Sequence, residues 1–429
     1  MTSSSRYSEM KHSGIEWVGN IPSHWSVKTL NQLVSQVKNK NSKLEEKNLL
    51  SLSYGKIKRK DINSSDGLLP ASFDGYNIIE AGDIVLRLTD LQNDKTSLRV
   101  GLATECGIIT SAYITLRPFD VKQSKYLYYL LHSFDIKKGF YGMGSGVRQG
   151  LNFSEVKELR IALPSQDEIE AVASYLDVKC AKIDEVILET KASIENYKLW
   201  RASIIFEAVT KGIDFDVKMK VSGIEWIGNI PANWNTRKIK HGFSIFSGAT
   251  PKSDNPEYWD GDIIWITPAD YKTEDMYVSE GRKNLTQLGY ASCGATLVPA
   301  GSIIFSKRAP VGKVAINSKE LCTNQGCLSC VPNETVSGEF FYYAMSAFTD
   351  QFELMGSGTT FKEISATSFA NFVLPYPKIK EQHRIAKYLN DVCSHITSLI
   401  TEKESLVCEL EAYKQSLIHE VVTGKRKVV

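Results

Sequence analysis

Ser13 to Trp25 reads SGIEWVGNIPSHW, and Ser222 to Trp234 reads SGIEWIGNIPANW, so ten of thirteen positions are identical 209 residues apart. The register returns further along the chain. Met143-Gly144-Ser145-Gly146 pairs with Met355-Gly356-Ser357-Gly358, Leu163-Pro164 with Leu374-Pro375, and Tyr175-Leu176 with Tyr388-Leu389. A period of about 210 residues is a duplicated unit; solenoid repeats run roughly 20 to 50 residues.

After each Leu-Pro pair the hydrophobic period becomes helical. In the first copy Ile169, Val172, Leu176, Cys180, Ile183, Ile187, Ile194, Tyr197, Ile204 and Ala208 step by three, four and seven; in the second, Ile385, Leu389, Cys393, Ile396, Ile400, Val407, Leu410, Leu417 and Val421 do the same. Both runs end at glycine, in Thr210-Lys211-Gly212 and Thr423-Gly424-Lys425. These are signatures of long amphipathic helices with a coiled-coil seam and glycine stops. Two similar units tend to associate about a two-fold axis, so the helices should pack antiparallel. Between repeat motif and helix, short apolar runs such as Ile84-Val85-Leu86 and Ile303-Ile304-Phe305 predict strands, and the two middle regions share little else. The fold expected is α+β: two α/β domains (1–164 and 213–375), each followed by a long helix (165–212 and 376–429), in a pseudo-two-fold duplication.

The chain of 429 residues is 42% hydrophobic and 23% charged, which excludes disordered, collagenous and disulfide-scaffold classes. No apolar run approaches the roughly 20 residues of a membrane span, and the start lacks a signal-peptide core; a cytoplasmic protein is expected. No P-loop, no cofactor-binding glycine loop and no Asn/Asp-Pro-Pro-aromatic segment occurs, so an autonomous methyltransferase or motor is disfavoured. Net charge is only +2, yet residues 1–164 carry 22 basic against 16 acidic side chains. The excess bunches at Lys38, Lys40 and Lys43 and at Lys56, Lys58, Arg59 and Lys60, either a phosphate-binding surface or a solvated lysine-rich loop.

The SGIEWxGxIPxxW segment opening each half, the GSG turn, the Leu-Pro lead into Glu381-Gln382-His383-Arg384-Ile385-Ala386 and the helix ending near Val-Thr-Gly-Lys together resemble the specificity subunit of a Type I restriction-modification system. The resemblance covers nearly the whole chain. It implies that residues 1–164 and 213–375 are target recognition domains, each reading half of a bipartite DNA site, held apart by the two helices. It also implies two adenine-N6 methyltransferase partners and two restriction subunits. No cofactor would belong to this chain; S-adenosylmethionine would sit in the methyltransferase, ATP and Mg in the restriction partner. The first half has Glu168-Ile169 where Glu381-Gln382 stands in the second, so Gln382 has no amide counterpart.

Candidate DNA contacts, beside the basic clusters, are Arg148 in the first glycine loop and Lys307, Arg308 and Lys313, three cations on a Pro/Gly loop of an otherwise acidic domain. Arg148 could equally sit in a plain tight turn. Asn324-Gln325 reads better as a strand-end pair satisfying backbone than as an adenine reader. Trp17, Trp25, Trp226 and Trp234 recur in both copies and point to scaffold core or a partner interface, with Gln382 a further partner contact. Cys322, Cys327 and Cys330, with Cys293 upstream, lack the paired spacing of a zinc site and read as small buried hydrophobes.

Overall fold

The computed structural model describes residues 6–428 except 64–69, 71, 92–95, 97, 144–149, 273–274 and 359–361. Four helices of ten or more residues occur among these: α1 (Ser124–Ile136), α2 (Gln166–Lys211), α3 (Gly338–Ala347) and α4 (Ile379–Val422). The two long helices carry the predicted seam. The seam residues are buried except Ile183, Tyr197, Ile204 and Leu410, which are half-buried. No helix among the described residues is long and apolar enough to cross a membrane.

The chain divides into two compact units, and the division cuts across both long helices: residues 1–191 with 405–429 form the first, residues 192–404 the second. In each unit the start of one long helix packs antiparallel to the end of the other. In the first, Lys191 of α2 meets Glu411 of α4 at 3.1 Å, and Lys414 of α4 meets Asp184 of α2 at 2.6 Å. In the second, Ile194, Ile396 and Ile400 form a small core, and Arg201 donates to Thr397 at 3.3 Å.

The globular part of the first unit is built on a four-stranded sheet. Taken in chain order its strands and their neighbours are β1 (Val34–Gln36), β2 (Leu50–Ser53), β3 (Lys56–Arg59), β4 (Asn77–Ile79), β5 (Ile84–Leu86), β6 (Val100–Leu102), β7 (Gly107–Ile109) and β8 (Ile114–Pro118). The sheet runs β1-β8-β5-β6, entirely antiparallel, while β4-β7 and the hairpin β2-β3 form separate ribbons. Helix α1 covers this sheet, and Leu417, Ile418, Val421 and Val422 from the end of α4 complete the core.

The second unit keeps the plan with different strands: β9 (Phe243–Ser247), β10 (Trp259–Ile266), β11 (Tyr277–Val278), β12 (Lys283–Leu285), β13 (Ile303–Ser306), β14 (Val314–Asn317), β15 (Cys322–Thr323) and β16 (Cys327–Pro332). Five of them order as β9-β16-β13-β14-β11, and β12-β10-β15 make a second sheet. Helix α3 and Ala208 and Val209 from the end of α2 close that core.

The repeated motif explains how a helix end is held. Gly424 stops α4 with φ +70°, and a Cβ there would run into the Pro22 ring and approach Trp25. Gly212 stops α2 with φ +80°, packed on Trp234 and Pro231. Only glycine takes this left-handed backbone freely and lets the helix end sit flat on the Pro-x-x-Trp seat.

Candidate nucleic-acid interface

In the first unit three segments converge at one end of the main sheet. Strand β5 runs out into Arg87-Leu88-Thr89-Asp90, whose carbonyls are gathered by the buried guanidinium of Arg99. Nη1 donates to the oxygens of Arg87 (3.0 Å) and Thr89 (2.8 Å), Nη2 to that of Asp90 (3.3 Å), and Nε to Tyr141 Oη (3.0 Å). A planar fork with five donors suits this loop of acceptors. The Arg99 backbone N–H donates to Asp135, whose carboxyl burial pushes above its ordinary range. The second segment is the exit from the glycine loop: Leu151 N–H donates to Leu88 O at 2.8 Å. Arg148 itself lies outside the described residues. The third is the turn of the β2-β3 hairpin, where Gly55 packs against Leu98, the residue before Arg99.

The second unit repeats the first two of these segments. Strand β13 runs into Lys307-Arg308-Ala309, and Ile364, after the second glycine segment, donates its N–H to Lys307 O at 3.0 Å. Ala309 (φ +55°) occupies the place of Asp90 (φ +57°). Instead of a buried arginine, a carboxylate organises the loop: Glu363 takes Lys307 Nζ at 2.9 Å and Arg308 Nη1 at 3.4 Å. Hydrogen bonding from Lys307 holds the Glu363 carboxyl below its ordinary range. Lys313 donates to the carbonyls of Pro268 (3.2 Å) and Tyr271 (3.4 Å). Of the three loop cations, Lys307 and Lys313 thus brace the loop, and Arg308 keeps about a third of its side chain exposed. Asn324 accepts from Gly326 N–H and Gln325 from Thr250, so this pair supports local backbone and side chain.

The remaining basic candidates flank the hairpin ribbon of the first unit. Arg59 forms a two-pronged pair with Glu105, with Nε at 2.9 and 2.8 Å from its two oxygens. Lys40 donates to Gly75 O at 2.8 Å. Lys38, Lys56, Lys58 and Lys60 are exposed and make no ion pair among the described residues. Each is open to a polyanion.

Of the four tryptophans expected in the scaffold core or at a partner interface, Trp25 and Trp234 are buried and Trp17 and Trp226 half-buried, and Gln382, expected at a partner contact, is buried within the chain. Trp25 and Trp234 are 1% and 0% exposed, being the seats for the helix ends. Trp17 packs against Phe134 and His419, and Trp226 stacks on Phe372. Gln382 is fully buried; it accepts from Ser337 N–H (2.8 Å) and donates to the carbonyls of Thr335 and Pro377. In the first unit Ile169, equally buried, takes that position. These side chains hold the chain to itself.

What the sequence reading missed is a second apolar stripe. Tyr388, Leu399, Leu406 and Tyr413 on α4 are 38–51% exposed and are spaced by eleven, seven and seven residues. At 100° per residue that spacing keeps them within about 20° of one direction. Helix α2 carries the equivalents Tyr175, Val186, Ser193 and Trp200, of which Val186 and Trp200 are exposed and Ser193 is a polar break. The spacing was present in the sequence, masked by the stronger buried seam.

The cysteines separate. Cys327 and Cys330 share strand β16 but lie three apart, so they face opposite sides; they belong to different cores, and Cys322 packs beside a third. Burial pushes the Cys322 and Cys327 thiols up to about 12. Among the described residues no group of three or more His, Cys, Asp or Glu could hold a metal.

Two loop-bearing heads of like backbone and unlike side chains, each with half of its helical frame supplied from a distant part of the chain, have the form of a recognition scaffold. Comparison with known proteins places that class. Residues 231–407 match the family model for the Type I restriction modification DNA specificity domain. The MjaIX specificity subunit of Methanocaldococcus jannaschii is 36% identical over 181 residues, covering 42% of this chain and 41% of that relative. A putative MjaX specificity subunit of the same organism is 25% identical over 427 residues, covering 96% of each. Over these spans the chain is similar to Type I restriction-modification specificity subunits. Its fold is similar to a chain of a type I R-M system studied for complex assembly and conformational transition (TM-score 0.72, 17% identity, 94% of this chain and 98% of that one). It is also similar to the HsdS subunit from Thermoanaerobacter tengcongensis (TM-score 0.53, 16% identity, the same coverage).

Proposed function

We propose that this chain reads duplex DNA for a Type I restriction-modification complex, each unit taking one half of an asymmetric bipartite site. The observation that carries this is the repeated meeting of a strand-end loop with a glycine segment, organised by Arg99 in one unit and by Glu363 in the other. Like backbones place the two loops equivalently, and unlike side chains read different base edges. The exposed lysines of the first unit supply phosphate contacts, which position without specifying.

The equivalent stripes on α2 and α4 support two methyltransferase subunits, one per helix. Two restriction subunits would join that assembly. This chain contributes no cofactor chemistry: S-adenosylmethionine belongs to the methyltransferase, ATP and Mg to the restriction partner. The setting is the cytoplasm, where the DNA is.

Co-expression with its methyltransferase partner in a methylation-free host, followed by methylome sequencing, tests the reading. One bipartite N6-methyladenine motif is expected. Methylation with no such motif would overturn it. Replacing Lys58 and Lys60 by alanine should leave the motif intact and lower the slope of log K against log salt by about 0.9 for each phosphate no longer neutralised.

A further inference from the structure

The β2-β3 hairpin turns through two residues, Tyr54 and Gly55, since Ser53 pairs directly with Lys56. Both turn residues have positive φ, +47° and +74°. Two-residue turns of this kind match the strand twist and prefer Asn-Gly, because asparagine tolerates left-handed backbone and a bulky aromatic does not. Among the described residues Tyr54 is the one aromatic side chain held at positive φ. Among the described residues nothing offsets the strain: Tyr54 is 81% exposed, and none of them hydrogen-bonds to its hydroxyl or stacks on its ring. A residue that local stability disfavours and internal packing does not use is maintained for something outside the chain.

The surroundings indicate what that is. Lys56 and Lys58 follow the turn on one exposed strand, and Gly55 seats the tip against Leu98, beside the loop that Arg99 gathers and Leu151 joins. The major groove of B-DNA admits a two-stranded ribbon. We propose that the β2-β3 hairpin enters the major groove of the first half-site and that Tyr54 is a specificity-determining residue, its ring and hydroxyl meeting a base edge while the lysines hold the flanking phosphates. This rests on the DNA-reading function proposed above and names the element that performs it in the first unit.

The test uses the complex of the full chain with its methyltransferase subunits. Binding is measured on the duplex of the methylome motif and on duplexes changed one base pair at a time. Tyr54→Asn, which suits the turn, should leave the chain as stable as before or more so, with an equal or higher Tm. It should lower discrimination at one position of one half-site on the order of tenfold. Lys56→Ala should instead weaken binding evenly across all duplexes. If Tyr54→Asn discriminates at every position as the parent does, or if it lowers Tm, the residue reads no base and the proposal falls. If the parent complex binds its motif no better than unrelated duplex, the DNA-reading function falls first, and this inference with it.

Discussion

The same seat is built twice in this molecule and filled differently. In the first unit helix α1 sends Tyr129 Oη to Asp177 of α2 at 2.8 Å, and Lys125 pairs with the same carboxylate. In the second unit α3 sends Tyr343 Oη to Asn390 of α4 at 3.0 Å, and that amide turns its Nδ2 to Glu339 at 3.1 Å. The cation has become an anion, and the acid facing it an amide. Around this node the first unit is packed: His132 is buried and stacks on Tyr128, and Lys414 is paired with Asp184. The second has Ser346, and Arg201 facing Thr397, and leaves a cleft of about 610 Å³ lined by Met276, Tyr342 and Cys393 among others. The duplication therefore preserved one contact, a tyrosine hydroxyl on a helix acceptor. Everything beside it was free to change provided donors still met acceptors.

The largest difference expected between the units is in acid. Burial, with Lys414 adding to it, lowers the pKa of His132 from 6.5 to about 4; His419, in the same unit, is shifted the same way, chiefly by burial. The unfolded chain protonates His132 as pH falls through 6.5, and the folded chain resists until about 4. Stability present above pH 6.5 is thus lost towards pH 4, by about 3 kcal/mol for His132. Hydrogen exchange, corrected for intrinsic rates, should show α1 losing protection across that window before α3. His132→Ser, which copies the second unit, should remove most of the step; an equal acid response in both units would break the comparison.

The paired tryptophans give the next difference. Trp25 Nε1 donates to Glu168 at 3.2 Å, whereas Trp234 Nε1 is buried with no partner among the described residues. Replacement by phenylalanine removes the same volume at both sites. Only Trp25→Phe also removes a hydrogen bond to a charged acceptor, so it should cost about 2 kcal/mol more than Trp234→Phe in urea unfolding. Equal costs would mean that the Trp25 hydrogen bond adds nothing.

The smallest effect sharpens the inverted node. Asn390→Asp sets a carboxylate against Glu339 and should cost about 1 kcal/mol. Adding Glu339→Lys reproduces the first unit's pairing and should restore it, giving a coupling energy of that size in a double-mutant cycle. Additive effects would show that the two side chains do not sense each other.

Much of this was legible in the chain because it depends on local period and repetition. Val172, Leu176 and Cys180 lie on one face whatever they pack against, and Gly212 and Gly424 stop a helix by backbone preference alone. The candidate site was less legible. Lys307 and Arg308 read as free cations because Glu363, which holds both, is some 55 positions away. Trp25 read as scaffold core or partner interface because repetition marks importance without saying which surface uses it, and Gln382 read as a partner contact because its amide stands in only one half. Arg99 carried no signal, since a buried arginine looks like any other basic residue until its acceptors are assembled.

Spacing along the chain is enough to give the duplication, the two long helices, their buried seams and their stops, since each of these is a property of one element. The exchange of helix ends is not: α4 closes on Trp25 and completes the first core, α2 closes on Trp234 and completes the second, and this is visible only once the chain has folded. The same holds for the strained tyrosine at the tip of a basic hairpin. Such pairings join residues far apart in the chain, and no periodicity encodes them. They are set by which apolar faces and unpaired polar groups remain to be satisfied once each element has formed.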